Sequence, residues 1–343
     1  MISPALRVPR AQGERGRRLL KARGLLREDL RIERSEEWIL LPVSAAEGPA
    51  PMGEWVTAEF PEPPGRRRPA SYRDRLPYPP ELARALPRSF DVIGDLVVLR
   101  LPESLQSRSA EIAEAIRSSV PRARLVGVDR GVKGPFRLRD IGVVAGTGPL
   151  RTRHRENGIE LDVDLARAYF SPRLAREHDL VARAARPGER ILDLCCGMGP
   201  FALTLAVRDR SRSITAVDLN PEAIALLREN AERLGVGDRI LALCADAADH
   251  LRHGPTYDRA ILNLPHAGAG LLAPLSDRIA PGGTVHYYEI VPREQAAART
   301  VAIAGGMRPG AAWTVVGEHV VHEYSPTSDL RGYTLRRSAA SEP

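Results

Sequence analysis

The feature that most constrains this chain is a regular alternation that begins near residue 166. Short apolar runs at Ile191–Cys195, Ile214–Asp218, Ile240–Cys244, Arg259–Asn263 and Val285–Ile290 are separated by segments with helical spacing. Such alternation predicts a parallel sheet covered by helices. The clearest helix runs from Pro221 to Leu234. Asn220 suits its N-cap and Pro221 its first position, and Ile224, Leu227, Ala231 and Leu234 share one face. The expected fold class is α/β, with a Rossmann-like domain over residues 166–343.

The first of these runs ends in Asp193-Leu194-Cys195-Cys196-Gly197-Met198-Gly199-Pro200-Phe201. A strand that closes on a glycine turn and opens a helix lets a ligand approach the backbone. Alone, this turn is shared by many nucleotide-binding folds. Its context narrows the reading. The second run ends at Asp218, followed by Leu219, and a carboxylate there can accept from both hydroxyls of a ribose. The third ends near Asp246-Ala247, where a side chain can accept from an adenine amino group. The fourth ends at Asn263-Leu264-Pro265. Four successive strands thus carry a polar residue at the edge where open α/β sheets bind ligands. For Asp218 taken alone, a surface turn is the plainer alternative.

Residues 1–45 read as a small unit, with a short basic helix around Leu19, Leu20, Leu25 and Leu26 and a strand at Glu37–Pro42. Residues 46–75 are dense in proline and carry Arg66-Arg67-Arg68, which predicts a linker. Residues 76–165 read as an α+β domain. Phe90–Leu101 suggests two strands joined at Gly94-Asp95, Ser107–Ser119 a helix and Arg122–Val128 a strand. Turns are expected at Gly146-Thr147-Gly148 and Asn157-Gly158.

Composition excludes some classes. Hydrophobic residues make up 43% and charged residues 27%, a globular balance. No run approaches the ~20 apolar residues that cross a bilayer, and the N-terminal stretch lacks the apolar core of a secretory signal. Cys195, Cys196 and Cys244 form no CxxC pair, so neither a zinc site nor a disulfide framework is expected, and reduced thiols point to the cytoplasm. The net charge is +7 and lysine occurs only at Lys21 and Lys133, so the positive charge is nearly all arginine. A polyanionic partner is one reading of that charge; ordinary solvated faces are the other.

At this point the sequence resembles the archaeal tRNA (guanine-N1)-methyltransferases that modify position 37, beside the anticodon. The resemblance rests on Val8-Pro9-Arg10, Leu86–Asp95, His154-Arg155-Glu156-Asn157-Gly158, Tyr169-Phe170-Ser171-Pro172-Arg173-Leu174-Ala175-Arg176-Glu177, Asn263-Leu264-Pro265 and Val285-His286-Tyr287-Tyr288. The Tyr-Phe-Ser-Pro-Arg-Leu-Ala and Asn-Leu-Pro motifs are its specific parts. It implies a class I methyltransferase domain that binds S-adenosylmethionine through Asp193, Gly197, Gly199, Pro200, Phe201, Asp218, Leu219, Asp246, Ala247 and Asn263. It implies tRNA as partner, held by the N-terminal domains, with no metal, no membrane and a monomeric chain. It also implies Glu177 as general base for the N1 proton, and an arginine in Phe136-Arg137-Leu138-Arg139 against the charge on O6. Arg137 and Arg139 both stay open. Asn263 would hold the base edge, Pro265 would shape the pocket, and Tyr169 would either line it or pack in the core.

Each assignment has a plainer counterpart. Glu177 could pair with Arg173 one turn earlier. Arg137 and Arg139 would share one solvated face of an alternating strand, and His154 reads as structural or phosphate-facing. Two departures stand out: a Cys-Cys pair in the glycine turn, and His178 where the family often has arginine. Four functions are weighed. Methylation of guanosine N1 at position 37 leads. A wyosine-pathway aminocarboxypropyl transferase, or a bifunctional wyosine methylase, shares the fold. An RNA-binding protein with a degenerate pocket is opposed by the intact Asp193, Gly197, Gly199, Asp218 and Asp246. A small-molecule methyltransferase is the fourth. A nicotinamide fingerprint can be forced onto Gly197–Ala202, but it leaves Asp193 and Asn263-Leu264-Pro265 without a use.

Overall fold

In the computed structural model, which describes residues 1–46, 48–60, 71–307 and 312–339, the chain divides into two units, Met1–Ser71 and Tyr72–Pro343. The first runs β1 (Ile2–Pro9), α1 (Gly13–Ala22), β2 (Glu33–Arg34), β3 (Trp38–Pro42) and β4 (Glu54–Glu59), its strands ordered β2-β3-β1-β4. All pairings are antiparallel. Leu6 and Val8 of β1, Leu20 of α1, Leu41 of β3 and Val43 form its core. Residues 46–75 are therefore not a linker throughout. Glu54–Glu59 pairs with β1 from Ile2↔Glu59 to Arg7↔Glu54, because Trp55 and Val56 give that short segment apolar side chains to pack. Arg66-Arg67-Arg68 falls outside the described residues.

The second unit opens with α2 (Pro80–Ala85), β5 (Asp91–Ile93), β6 (Leu96–Leu99), α3 (Ser109–Ser119), β7 (Leu125–Lys133) and β8 (Leu138–Gly146). These strands form a sheet in chain order, parallel only between β6 and β7. The helix α3 makes that parallel crossover and buries Ile112, Ala113 and Ile116. A hairpin follows, β9 (Arg151–Glu156) and β10 (Ile159–Asp164), turned by Asn157 at φ 49° and Gly158 at φ 83°.

The rest is α4 (Ala175–Ala184), β11 (Arg190–Leu194), α5 (Pro200–Arg208), β12 (Ser213–Asp218), α6 (Pro221–Arg233), β13 (Ile240–Cys244), α7 (Ala247–His253), β14 (Tyr257–Leu262), α8 (Leu272–Ser276), β15 (Ile279–Pro292), α9 (Ala296–Gly305), β16 (Trp313–Ser325) and β17 (Ser328–Arg337). One seven-stranded sheet runs β13-β12-β11-β14-β15-β17-β16. Its first five strands are parallel, and Ile191 to Leu194 are buried without a break, as a strand covered on both faces requires. The Asn220 side chain accepts from Glu222 N at 3.0 Å and caps α6 as the sequence indicates. The chain goes from β11 to β12 and β13 on one side, then crosses to β14 on the other. That reversal opens a crevice at the carboxyl ends of β11 and β14. The antiparallel pair β16–β17 extends the sheet beyond β15 and has no counterpart among the strands expected from sequence.

Candidate active site

A cleft of about 1160 Å³ lies at the crevice. The turn after β11 forms one wall. Gly197 and Gly199 have φ of 56° and 75°, and a Cβ on Gly199 would drive into the side chain of Leu227. Cys195 also has positive φ, 61°, a conformation that costs a side-chain-bearing residue about 1–2 kcal/mol. The Cys-Cys departure thus places a strained residue at the cleft wall. Burial pushes the Cys195 thiol up to about 12 and that of Cys196 well above its ordinary value, with nearby carboxylates adding to both. Neither thiol is a nucleophile at neutral pH.

Asp218 ties the turn to the second strand. Its Oδ2 accepts from Gly197 N at 2.7 Å and its Oδ1 from Asn220 N at 2.8 Å. Burial pushes its carboxyl above the ordinary carboxylate range, and the backbone donors oppose that rise. Asp246 caps α7, accepting at Oδ1 from Ala248 N at 2.8 Å and Asp249 N at 3.1 Å. Oδ2 makes neither of these bonds, so it can accept from a ligand. Asp218, Leu219, Asp246, Ala247, Gly197 and Pro200 all line the cleft.

Three of the expected cofactor residues are set back from the wall. Gly199 shapes the turn. Phe201 is buried against His178 and Tyr288, with ring centroids 4.5 Å and 5.7 Å away. Asp193 is buried and accepts at Oδ2 from Ala202 N at 3.1 Å. Its Oδ1 has no partner among the described residues. Burial pushes its carboxyl up to about 7; the Ala202 amide opposes that and Asp218 adds to it.

The opposite side holds the residues expected to do chemistry. Asn263 lines the cleft with Oδ1 buried and unpartnered among the described residues. Pro265 lies beside it, its carbonyl accepting from Ile290 N at 3.3 Å. Tyr169 lines the cleft and is 47% exposed, so it is no core residue.

Arg137 and Arg139 do not share a strand face. Arg137 sits in the turn before β8 with φ 53° and lines the cleft. Its charge bears on His266, whose imidazole is lowered by burial first and then by Arg137. Arg139 has a side chain only 10% exposed, bonded through Nη2 to Asp91 at 2.8 Å and through Nε to Asp129 at 3.2 Å; its Nη1 has no partner among the described residues.

Glu177 does not pair with Arg173. Arg173 Nε donates instead to Asp91 Oδ1 at 2.8 Å. Glu177 is buried and is not itself on the cleft wall, whereas Leu174 and His178 of the same segment are. Tyr288 Oη donates to its Oε2 at 3.2 Å, and His319 Nε2 lies 2.9 Å from that oxygen. His178, in the family's arginine position, puts Nδ1 2.7 Å from Glu156 Oε1. His154 accepts at Nδ1 from Gly94 N at 3.2 Å. Sequence reading missed His319, His322 and Tyr324, because the pair β16–β17 that carries them had not been recognised. Among the described residues no cluster of three or more His, Cys, Asp or Glu side chains could hold a metal.

Residues 152–304 match the model described as the TRM5/TYW2 methyltransferase domain. Residues 73–149 match a TYW2 N-terminal domain and residues 5–48 a tRNA methyltransferase 5 N-terminal domain. The chain is 34% identical to the tRNA (guanine(37)-N(1))-methyltransferase Trm5b of Pyrococcus abyssi, over 94% of its own length and 95% of the relative's. The chain belongs to the TRM5/TYW2 methyltransferase family. The crystal structure of Trm5b from Pyrococcus abyssi superposes with a TM-score of 0.71 at 33% identity, covering 98% of this chain and 99% of that one. A complex of aTrm5 with tRNALeu superposes at 0.68 and 25% identity, covering 97% and 99%. As a TRM5/TYW2 enzyme, the chain has the Rossmann-like methyltransferase fold and uses S-adenosylmethionine. The residues fit that cofactor: the left-handed Gly197 opens the turn to the cleft, and carboxylates close the second and third strands.

Proposed function

We propose that this TRM5/TYW2 enzyme transfers a methyl group from S-adenosylmethionine to N1 of guanosine at position 37 of tRNA. The observation that carries this reading is the buried, unpartnered Oδ1 of Asn263 on the cleft wall. A buried acceptor without a donor costs about 1–3 kcal/mol, and the edge of guanine, with N1–H and the N2 amino group, supplies donors. The cofactor supplies an electrophilic methyl group. Gly197, Asp218 and Asp246 hold it, and Glu177 accepts the proton that leaves guanine N1. Arg137, cationic and on the cleft wall, balances the charge that develops on O6. Arg139 serves the fold by holding Asp91 and Asp129. Pro265 and Tyr169 shape the space for the base, which must leave its stack to enter.

Met1–Ser71 and residues 72–165 would hold the tRNA, mainly by phosphate contacts and shape. The three free cysteines suit the cytoplasm. Among the described residues, no helix is long and apolar enough to cross a membrane.

The second reading is a wyosine-pathway transferase at the same tRNA position. It is favoured by the match of residues 73–149 to a TYW2 N-terminal domain, and wyosine-pathway enzymes are among the relatives. Labelled methyl transfer to an unmodified transcript with guanosine at position 37, against one with adenosine there, tests the proposal. Transfer only to the first supports it, and equal transfer to both contradicts it.

A further inference from the structure

Glu177 is gripped by residues 111 and 142 positions away in the chain, Tyr288 and His319, and both meet the same oxygen, Oε2. Among the described residues, no hydrogen bond reaches Oε1. The sheet register explains how they converge. Tyr288 lies opposite Gly332 across β15–β17, and Gly332 opposite His319 across β17–β16. Two residues along on the same face, Ile290 lies opposite Leu330 and Leu330 opposite His322. A bulge between Val320 and His322 supplies the extra residue that keeps His322 on the face of His319. Ile290, Leu330 and His322 all line the cleft, so the partners of Glu177 sit one pleat from its wall.

Gly332 makes the meeting sterically feasible. A Cβ there would stand 2.9 Å from His319 Cε1 and 3.1 Å from Tyr288 Cε1. The absent side chain leaves both rings room to reach the carboxylate.

A carboxylate as buried as Glu177 has lost most of its water, which disfavours its charged form; donors to that form restore it. Tyr288 remains a donor because burial, and then Glu177, push its phenol well above the ordinary range. The His319 side chain is 44% exposed and joins the buried carboxylate to solvent. His319 Nε2, 2.9 Å from Oε2, donates to it in the tautomer that carries the proton on that nitrogen. Other ionisable groups near this row are His178 on α4, Asp193 on β11, whose charge bears on Tyr288, and His286 on β15, on which His319 bears.

We propose that His319 is a positioning residue for proton transfer: with Tyr288 it occupies Oε2, keeps the buried carboxylate ionised and leaves Oε1 to take the substrate proton. The inference rests on the reading of Glu177 as general base. The proton moves from guanine N1 to Oε1, and no other bond to Glu177 changes.

The test is the single-turnover methyl-transfer rate against pH on a tRNA transcript with guanosine at position 37, with cofactor affinity measured by calorimetry. His319→Ala should slow transfer about tenfold near neutral pH and move the acid limb up by about one pH unit, at unchanged cofactor affinity. His319→Gln, which still donates, should restore most of the rate. Gly332→Ala, which displaces the imidazole without removing it, should behave like His319→Ala. An acid limb unmoved in His319→Ala, with Glu177→Gln inactive, would leave Glu177 as base and overturn the role of His319. Parental activity in Glu177→Gln would remove the base reading and this inference together.

Discussion

The Asp218 carboxylate accepts the Gly197 amide at 2.7 Å, so the second parallel strand braces the glycine turn of the first. The same carboxylate holds Asn220 N, and through it the start of α6. One side chain thereby fixes the cofactor wall from two directions before any ligand arrives. Asp218→Asn replaces a charged acceptor with an amide of which only one atom can accept. Hydrogen bonds to charged groups are worth about 1.5–3 kcal/mol, so calorimetry should show cofactor binding weakened by roughly ten- to a hundredfold. Unchanged affinity would contradict this bracing role.

Gly199→Ala should cost stability. It places a Cβ at φ 75° and against Leu227. The left-handed backbone alone accounts for about 1–2 kcal/mol, and the collision adds to it. A melting temperature several degrees below the parent's is the expected result, with the cofactor raising the Tm of the variant less than that of the parent.

Arg137 and Arg139 should separate cleanly. Arg139→Ala strips Asp91 and Asp129 of a buried partner, and breaking such a pair costs about 3–5 kcal/mol. Arg137→Ala removes a cation from the cleft wall and should leave the melting temperature unchanged while slowing methyl transfer. Denaturant unfolding and transfer rates on the two variants check this. The reverse pattern would assign the O6 role to Arg139.

The Arg139 pairing also sets an acid dependence. Burial works to raise the Asp91 carboxyl, but bonds and charge from Arg139 and Arg173 outweigh it and hold the group below its ordinary value. The folded state therefore binds this proton less readily than the unfolded one. The stabilisation is complete above the ordinary carboxylate value of about 3.9 and is lost as pH falls through the lower folded value. Arg139→Ala should flatten this part of the acid unfolding curve.

His286 acts over a higher range. Burial, then the charge of Arg259, push its imidazole down to about 3. The unfolded chain binds this proton near pH 6.5, so stability is complete above that pH and falls as pH drops toward the folded value. Between pH 7 and 5 this one group should remove about 2 kcal/mol of unfolding free energy. His286→Gln should show a shallower fall over that interval by urea titration.

What the sequence made legible was local. The apolar run Ile191–Leu194, the Asn220 cap and the glycine turn follow from neighbours in the chain, and these position the cofactor half of the cleft. Arg139 was ambiguous because its partners lie 48 and 10 residues away, and only the fold brings Asp91 and Asp129 together. Glu177 with Arg173 looked like a helical pair until Asp91 took the arginine. The row Tyr288–Gly332–His319 depends on the register of two strands, one of them irregular at three places, and no spacing in the sequence reports that.

The central claim is tested most directly by the product. Unmodified tRNA transcript with guanosine at position 37 is incubated with the protein and S-adenosylmethionine, digested, and read by nucleoside mass spectrometry, with Glu177→Gln in parallel. The account predicts 1-methylguanosine at that position with the parent protein and little or none with the variant. An aminocarboxypropyl product on a wyosine-intermediate tRNA without any 1-methylguanosine, or parental 1-methylguanosine from Glu177→Gln, would contradict it.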